Sequence, residues 1–124
     1  MAVPILKQED VLIAQVQAIL SDDDLNQLKD DLSNRIGRAR SRGVIIDVTA
    51  LDVLDSFATR TIRGIAYTAK LRGANTVVVG IQPDVAFGMV QLGLSLEGVE
   101  TALDLEEGLA FLRNAANSRG PRVR

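Results

Sequence analysis

The chain contains no cysteine and no histidine, and these two absences exclude more chemistry than any motif it carries. Without cysteine there is no disulfide and no thiol nucleophile. Without histidine there is no imidazole base, and the commonest zinc ligands are gone with both. An excess of positive charge is also missing: 14 basic and 16 acidic residues leave a net charge of −2, so no overall field draws nucleic acid. Long hydrophobic runs are absent. Nothing approaches the roughly 20 apolar residues that span a bilayer, and Met1-Ala2-Val3-Pro4 lacks the basic start and apolar core of a secretion signal. A cytoplasmic protein with no membrane and no nucleic-acid partner is expected. Phosphate cradles are missing too, because Gly88, Gly93 and Gly98 lie five apart in an apolar segment that no lysine follows.

What is present fits one globular domain. The 124 residues are 47% apolar and 24% charged, enough for a real core. The domain is expected over residues 1–116, with 117–124 a frayed basic tail ending Arg119-Gly120-Pro121-Arg122-Val123-Arg124.

Short apolar runs alternate with helical periodicity. Val3–Lys7 and Val11–Val16 read as two strands joined by the polar Gln8-Glu9-Asp10, a hairpin. Ser21-Asp22-Asp23-Asp24 opens a helix whose Leu25, Leu28, Leu32, Ile36 and Ala39 form one stripe, with Arg42-Gly43 as its stop. Its acids crowd the first turn and Arg35, Arg38 and Arg40 the last, as the macrodipole favours; with no interleaved aromatic residue, dipole compensation explains the arginines better than a phosphate or RNA patch.

Val44–Val48 is a continuous β-branched run of the kind covered on both faces. The next helix, Ser56 to Arg72, buries Ala58, Ile62, Ile65, Ala66 and Ala69 and exposes Arg60, Arg63, Tyr67 and Lys70, with Gly73 ending it. Thr76–Val79 repeats the buried-strand pattern, and Pro83 sits near the first turn of a third helix. A short strand near Glu100–Leu103 precedes Asp104, a cap for a last helix with the stripe Leu105, Leu109, Leu112 and Ala116. The expected fold is α/β: about four helices on a mixed, mostly parallel sheet, with an N-terminal hairpin.

Two features point toward function. Between Gly73 and Leu112 lie six acids and no cation, and Val85 to Leu96 is apolar on more than one side. A surface helix needs one apolar stripe, so the excess implies a patch that pairs with another protein, or else a helix lodged in its own core. The second feature is Ser56, placed where a strand and loop hand over to a helix. There a hydroxyl lies beside unpaired N–H groups and a positive dipole end, where a phosphate is tolerated; the plainer reading is a helix N-cap. Asp47, Asp52 and Asp55 invite a magnesium or aspartyl-phosphate reading, but loop solvation and capping account for them. A serine hydrolase is disfavoured because no histidine activates Ser56, and Lys70 lies about four turns away.

Ile45-Ile46-Asp47-Val48-Thr49, Leu54-Asp55-Ser56-Phe57 and Lys70-Leu71-Arg72-Gly73-Ala74 together resemble STAS domains, the fold of anti-sigma-factor antagonists. Gly80-Ile81-Gln82-Pro83, Leu92-Gly93 and Glu100-Thr101-Ala102-Leu103-Asp104-Leu105-Glu106 resemble the stressosome scaffold members of that family, the RsbS type. The likeness covers about Val3 to Leu112; the basic end is unmatched. It implies a non-enzymatic antagonist that assembles with RsbR-type co-antagonist STAS proteins and holds a switch kinase of the RsbT type. By the same likeness, phosphorylation of Ser56 is expected to release the kinase and a serine phosphatase to reset it. RsbR-type relatives carry an extra N-terminal sensor domain, whereas this chain reaches its first strand almost at Met1, which favours the RsbS type. Asp52, Asp55, Phe57, Thr59, Arg60 and Arg63 are expected to border the partner surface. No catalytic residue, metal or cofactor is implied, and a weak homodimer through Pro83–Leu96 is expected. The alternatives are an antagonist that binds an anti-sigma kinase directly, and a small-ligand or lipid-binding module using the Ser56 loop as an anion pocket.

Overall fold

The structure, a computed structural model, describes residues 3–17 and 21–118. β1 (Ile5–Gln8) and β2 (Val11–Gln15) form the hairpin, turning at Glu9 with φ 55°. α1 (Asp22–Ala39), β3 (Gly43–Asp47), α2 (Ser56–Leu71), β4 (Asn75–Val79), α3 (Pro83–Gln91), β5 (Glu100–Ala102) and α4 (Leu105–Ser118) follow. The five strands lie side by side in chain order, antiparallel between β1 and β2 and parallel from there on. This is the mixed sheet expected from the alternation of strands and helices.

The β-branched run of β3 is central because both its faces are covered. Val44 and Ile46 meet Leu28, Leu32 and Ile36 of α1, Ile62 and Ile65 of α2, and Val85 and Met89 of α3 in one apolar cluster. Ile45 points the other way with Val11, Ile13, Val77 and Val79, where Leu112 of α4 closes over them. Strand side chains alternate by two, so one short run feeds both clusters. Three helices therefore cover one face and α4 alone the other.

Helix ends follow the chemistry of their caps, with three departures from expectation. α1 starts in a capping box: Ser21 Oγ accepts from Asp24 N–H and Asp24 Oδ2 accepts from Ser21 N–H, each at 3.1 Å. It does not run on to Arg42-Gly43. Arg40 adopts left-handed φ 50° after Ala39 and returns its N–H to Ile36 O, which frees Gly43 to begin β3. α4 is capped as expected, Asp104 Oδ1 accepting from Glu107 N–H at 2.9 Å while Glu107 Oε1 accepts from Leu103 N–H at 2.8 Å. It continues to Ser118, two residues beyond the expected edge at 116; the basic end 119–124 lies outside the described residues. The third departure, at Ser56, concerns the site itself.

α3 settles the question left by its composition. Val85 and Met89 are buried, but Phe87 is 65% and Val90 74% exposed. One face is core and the other stands bare, so the excess of apolar residues is surface.

Candidate functional site

Ser56 is not the cap of α2. Asp55 takes that place: its backbone is extended and its Oδ1 accepts from Ala58 N–H at 2.8 Å. A carboxylate at this position satisfies a first-turn donor and complements the positive helix end. Ser56 is thereby the first helical residue, exposed, with no partner for its hydroxyl among the described residues. The Thr59 N–H goes to Asp55 O, while the N–H groups of Ser56 and Phe57 find no acceptor among the described residues. Two free donors beside a free hydroxyl are what an added phosphate needs.

The loop that presents Ser56 is built rigidly from below. Leu51 and Leu54 are buried under it, and Asp47 Oδ1 accepts from Thr49 N–H at 2.9 Å and from Thr49 Oγ1 at 2.6 Å. That turn occupies Asp47 locally, which removes it as a phosphoacceptor of the receiver kind. Gln82 spans from the next loop, donating through Nε2 to Thr49 O at 2.5 Å. Gln82 precedes α3 without capping it through its side chain, because that side chain is spent on the tether.

The expected partner residues separate into surface and interior. Arg60 and Arg63 are exposed and follow Ser56 at helical steps of four and three, so all three lie on one ridge of α2. Asp52 and Asp55 are exposed beside it. Phe57 is half-buried, packed on the core cluster, and anchors the helix end. Thr59 is 2% exposed; it lies off the ridge on the flank shared with the buried Ile62 and Ala66, so it belongs to the interior and not to the partner surface. Sequence reading missed Val53, 67% exposed in the loop, and undervalued Tyr67, which prolongs the ridge by four residues. The four-residue step to Tyr67 was readable in the sequence. Nothing in the sequence marked Val53, a loop position without periodicity.

A hollow of about 330 Å³ lies beneath the loop, between the starts of α1 and α2. Its floor is aliphatic, including Val16, Leu25, Ile46 and Ile62, and Asp22, Asp52 and Asp55 stand at its edge with no basic residue in its wall. Three carboxylates repel an anion there, which opposes use of this loop as an anion pocket. Among the described residues no group of three histidine, cysteine, aspartate or glutamate side chains is placed to hold a metal ion. No helix among them is long and apolar enough to cross a membrane.

Loss of the cap is a direct check of this geometry. Asp55→Ala is expected to lower stability by about 1 kcal/mol and to fray the turn holding Ser56, read by thermal melting and by hydrogen exchange confined to the start of α2.

A five-stranded sheet with a leading hairpin, helices on both faces and an exposed residue at the start of α2 defines a class. The STAS domain profile matches residues 2–108, and the chain belongs to that family. Among solved structures it is similar to a serine-to-glutamate variant of RsbS from Moorella thermoacetica, at 39% identity over 93% of this chain and 97% of that one, with a TM-score of 0.80. A chain in the structure titled "Molecular architecture of the stressosome, a signal integration and transduction hub" is 40% identical, over 91% and 98% of the two chains, with a TM-score of 0.77. The RsbT co-antagonist protein RsbRA of Bacillus subtilis is 27% identical over 101 residues, 82% of this chain; the chain spans 37% of that protein's length.

Proposed function

We propose that this protein is a phosphorylation-switched antagonist scaffold of the RsbS type. It assembles with co-antagonist STAS proteins of the RsbR type into a stressosome, holds a switch kinase of the RsbT type, and releases it when Ser56 is phosphorylated. It acts in the cytoplasm, without catalysis of its own, and a serine phosphatase restores the hydroxyl.

One observation carries the reading: Asp55 caps α2, so Ser56 stands exposed and unused beside two free N–H groups. The similarity to an RsbS chain and to a stressosome chain, each near 40% identity and nearly full length, supports the assembly and the partner. That RsbS carries glutamate in place of a serine, a substitution that adds negative charge.

The switch is electrostatic. A phosphate brings about −1.5 to −2 charges next to Asp52 and Asp55, and a partner surface fitted to a neutral hydroxyl must then bury a dianion. Within the domain the same group is welcome, because free N–H groups and the dipole receive it. Arg60, four residues on, pairs with an acidic group at position 56 along the helix and is withdrawn from the partner. The interface loses both a neutral contact and a cation while the fold survives.

Incubation of the full chain with its switch kinase and ATP, followed by mass-spectrometric site mapping, tests this. One phosphate at Ser56, absent from Ser56→Ala, is expected; modification elsewhere that persists in Ser56→Ala overturns the assignment. The hollow beneath the loop supports a second reading, a binding site for a small apolar molecule, for which a thermal shift on adding uncharged amphiphiles is the check.

A further inference from the structure

At the end of the molecule opposite Ser56, the last turns of α1 and α2 leave an open hollow of about 440 Å³. Ile36, Gly37, Arg40, Ser41, Arg42, Arg72 and Gly73 line it. Three are arginines and none is acidic. We propose that this hollow binds a small phosphate-bearing anion and reads it through the phosphate group, about 24 Å from Ser56 along the 16 residues of α2.

Helix dipoles do not use up this charge. The two C-terminal ends contribute about −0.5 each, and Asp10 adds one negative charge through its 3.4 Å pair with Arg42 Nε. Against three guanidinium groups, roughly one full positive charge is left over. Among the described residues neither Arg40 nor Arg72 has an ion-pair partner.

Two residue choices that cost stability both serve to place a guanidinium here. Gly37 lies inside α1, where alanine is preferred; a Cβ there would land on Arg72 Nη2 and come within 2.9 Å of its Cζ. Only glycine lets Arg72 lie across the helix. Arg40 occupies the left-handed position after α1, with φ 50°, where glycine is the usual residue. An arginine in that conformation is strained and contributes nothing to the turn that glycine would not.

Ser41 is 5% exposed and lines the hollow, but its Oγ is itself sealed from solvent, so it belongs to the floor beneath the arginines and the anion is read by the guanidinium groups. Arginine forks match the oxygens of phosphate, and three of them around one hollow supply more donors than a lone carboxylate can accept. No aromatic residue lines the hollow, so a nucleobase has no platform to stack on.

The test titrates the full chain with inorganic pyrophosphate at constant ionic strength, by calorimetry and thermal shift, with ATP and a short single-stranded oligonucleotide as parallel arms. Saturable pyrophosphate binding is expected, and ATP is expected to match it within about threefold because only its phosphates are read. Arg40→Gly and Arg72→Gln should each weaken binding at least about tenfold. Arg40→Gly should also raise the melting temperature without anion, since glycine relieves the left-handed strain, so its lost binding cannot be ascribed to misfolding. Three results overturn the proposal: pyrophosphate affinity retained in both variants, a thermal shift no larger than that from sodium chloride at equal ionic strength, or tighter binding of the oligonucleotide that the same substitutions abolish.

Discussion

Ser56→Glu is expected to weaken capture of the switch kinase by about 30- to 1,000-fold, while Ser56→Gln binds within about threefold of wild type. The two side chains have nearly the same size and differ by one charge, so the contrast isolates electrostatics from fit. The estimate follows from burying an unpaired carboxylate among like charges, which costs about 2–4 kcal/mol at an interface. Asp52 and Asp55 flank the position on the exposed surface and raise that cost. Stability moves little, and in the opposite direction. A carboxylate in the first turn of α2 interacts favourably with the dipole by about 0.3–1 kcal/mol, so Ser56→Glu should melt at or slightly above the wild-type temperature. Affinity by calorimetry and a melting curve decide the matter together. Glutamate and glutamine weakening capture equally would make the effect steric and sink the charge-based switch.

Gly80→Ala is expected to destabilise the protein by about 2–5 kcal/mol, lowering the melting temperature by roughly 10–20 °C. Two costs add. Gly80 has φ 83°, a left-handed conformation that penalises any L side chain by about 1–2 kcal/mol. A Cβ there would also strike Thr49 Oγ1 and approach Thr49 Cα to 3.1 Å, an overpacking term of about 1–3 kcal/mol. The collision falls on the loop leading to Ser56, at the residue held by Asp47 on one side and Gln82 on the other. Kinase capture should therefore fall beyond what the lost stability explains. A double substitution separates the terms: with Thr49→Ala the hydroxyl clash disappears and the φ penalty stays. Melting of the two single variants and the double variant should show a coupling of about 1 kcal/mol or more. Strict additivity would place the cost in the backbone of residue 80 and its close approach to Thr49 Cα, with none in the hydroxyl.

Much of this architecture was legible because its signals are local and strong. Val44 to Val48 and Thr76 to Val79 are β-branched runs with no alternation, and a strand buried on both faces is what such a run becomes. The stripe Leu25, Leu28, Leu32, Ile36 has no arrangement but a helix laid on an apolar surface. The ridge of Ser56, Arg60 and Arg63 is equally legible, since helix geometry alone aligns those positions.

The misreadings have a common origin in competition between neighbours. Asp55 and Ser56 are both good capping residues, one position apart, and the ranking of types does not separate them. In the fold Leu54 and Phe57 pack into the core on either side, Asp55 takes the cap, and the serine is left free. At the end of α1, Gly43 looked like the stop and Arg40 did not, because glycine is the usual left-handed residue. The parallel register of β3 with β2 needs Gly43 opposite Val11, so the turn had to close three residues earlier, on an arginine. Thr59 was placed on the surface by nearness in sequence, whereas it falls on the flank of α2 that carries the buried Ile62 and Ala66.

By itself the sequence determined that this is an α/β domain with a lone, unactivated serine at the start of its second helix, because residue type and periodicity act over a few positions. Which atoms remain unpaired was decided only by the tertiary structure. Sheet register and core packing chose between adjacent caps, left the Ser56 hydroxyl and two N–H groups free at one end, and gathered Arg40, Arg42 and Arg72 around a buried Ser41 at the other. Arg72 lies far along the chain from Arg40 and Arg42, and only a folded backbone brings the three charges within reach of one ligand.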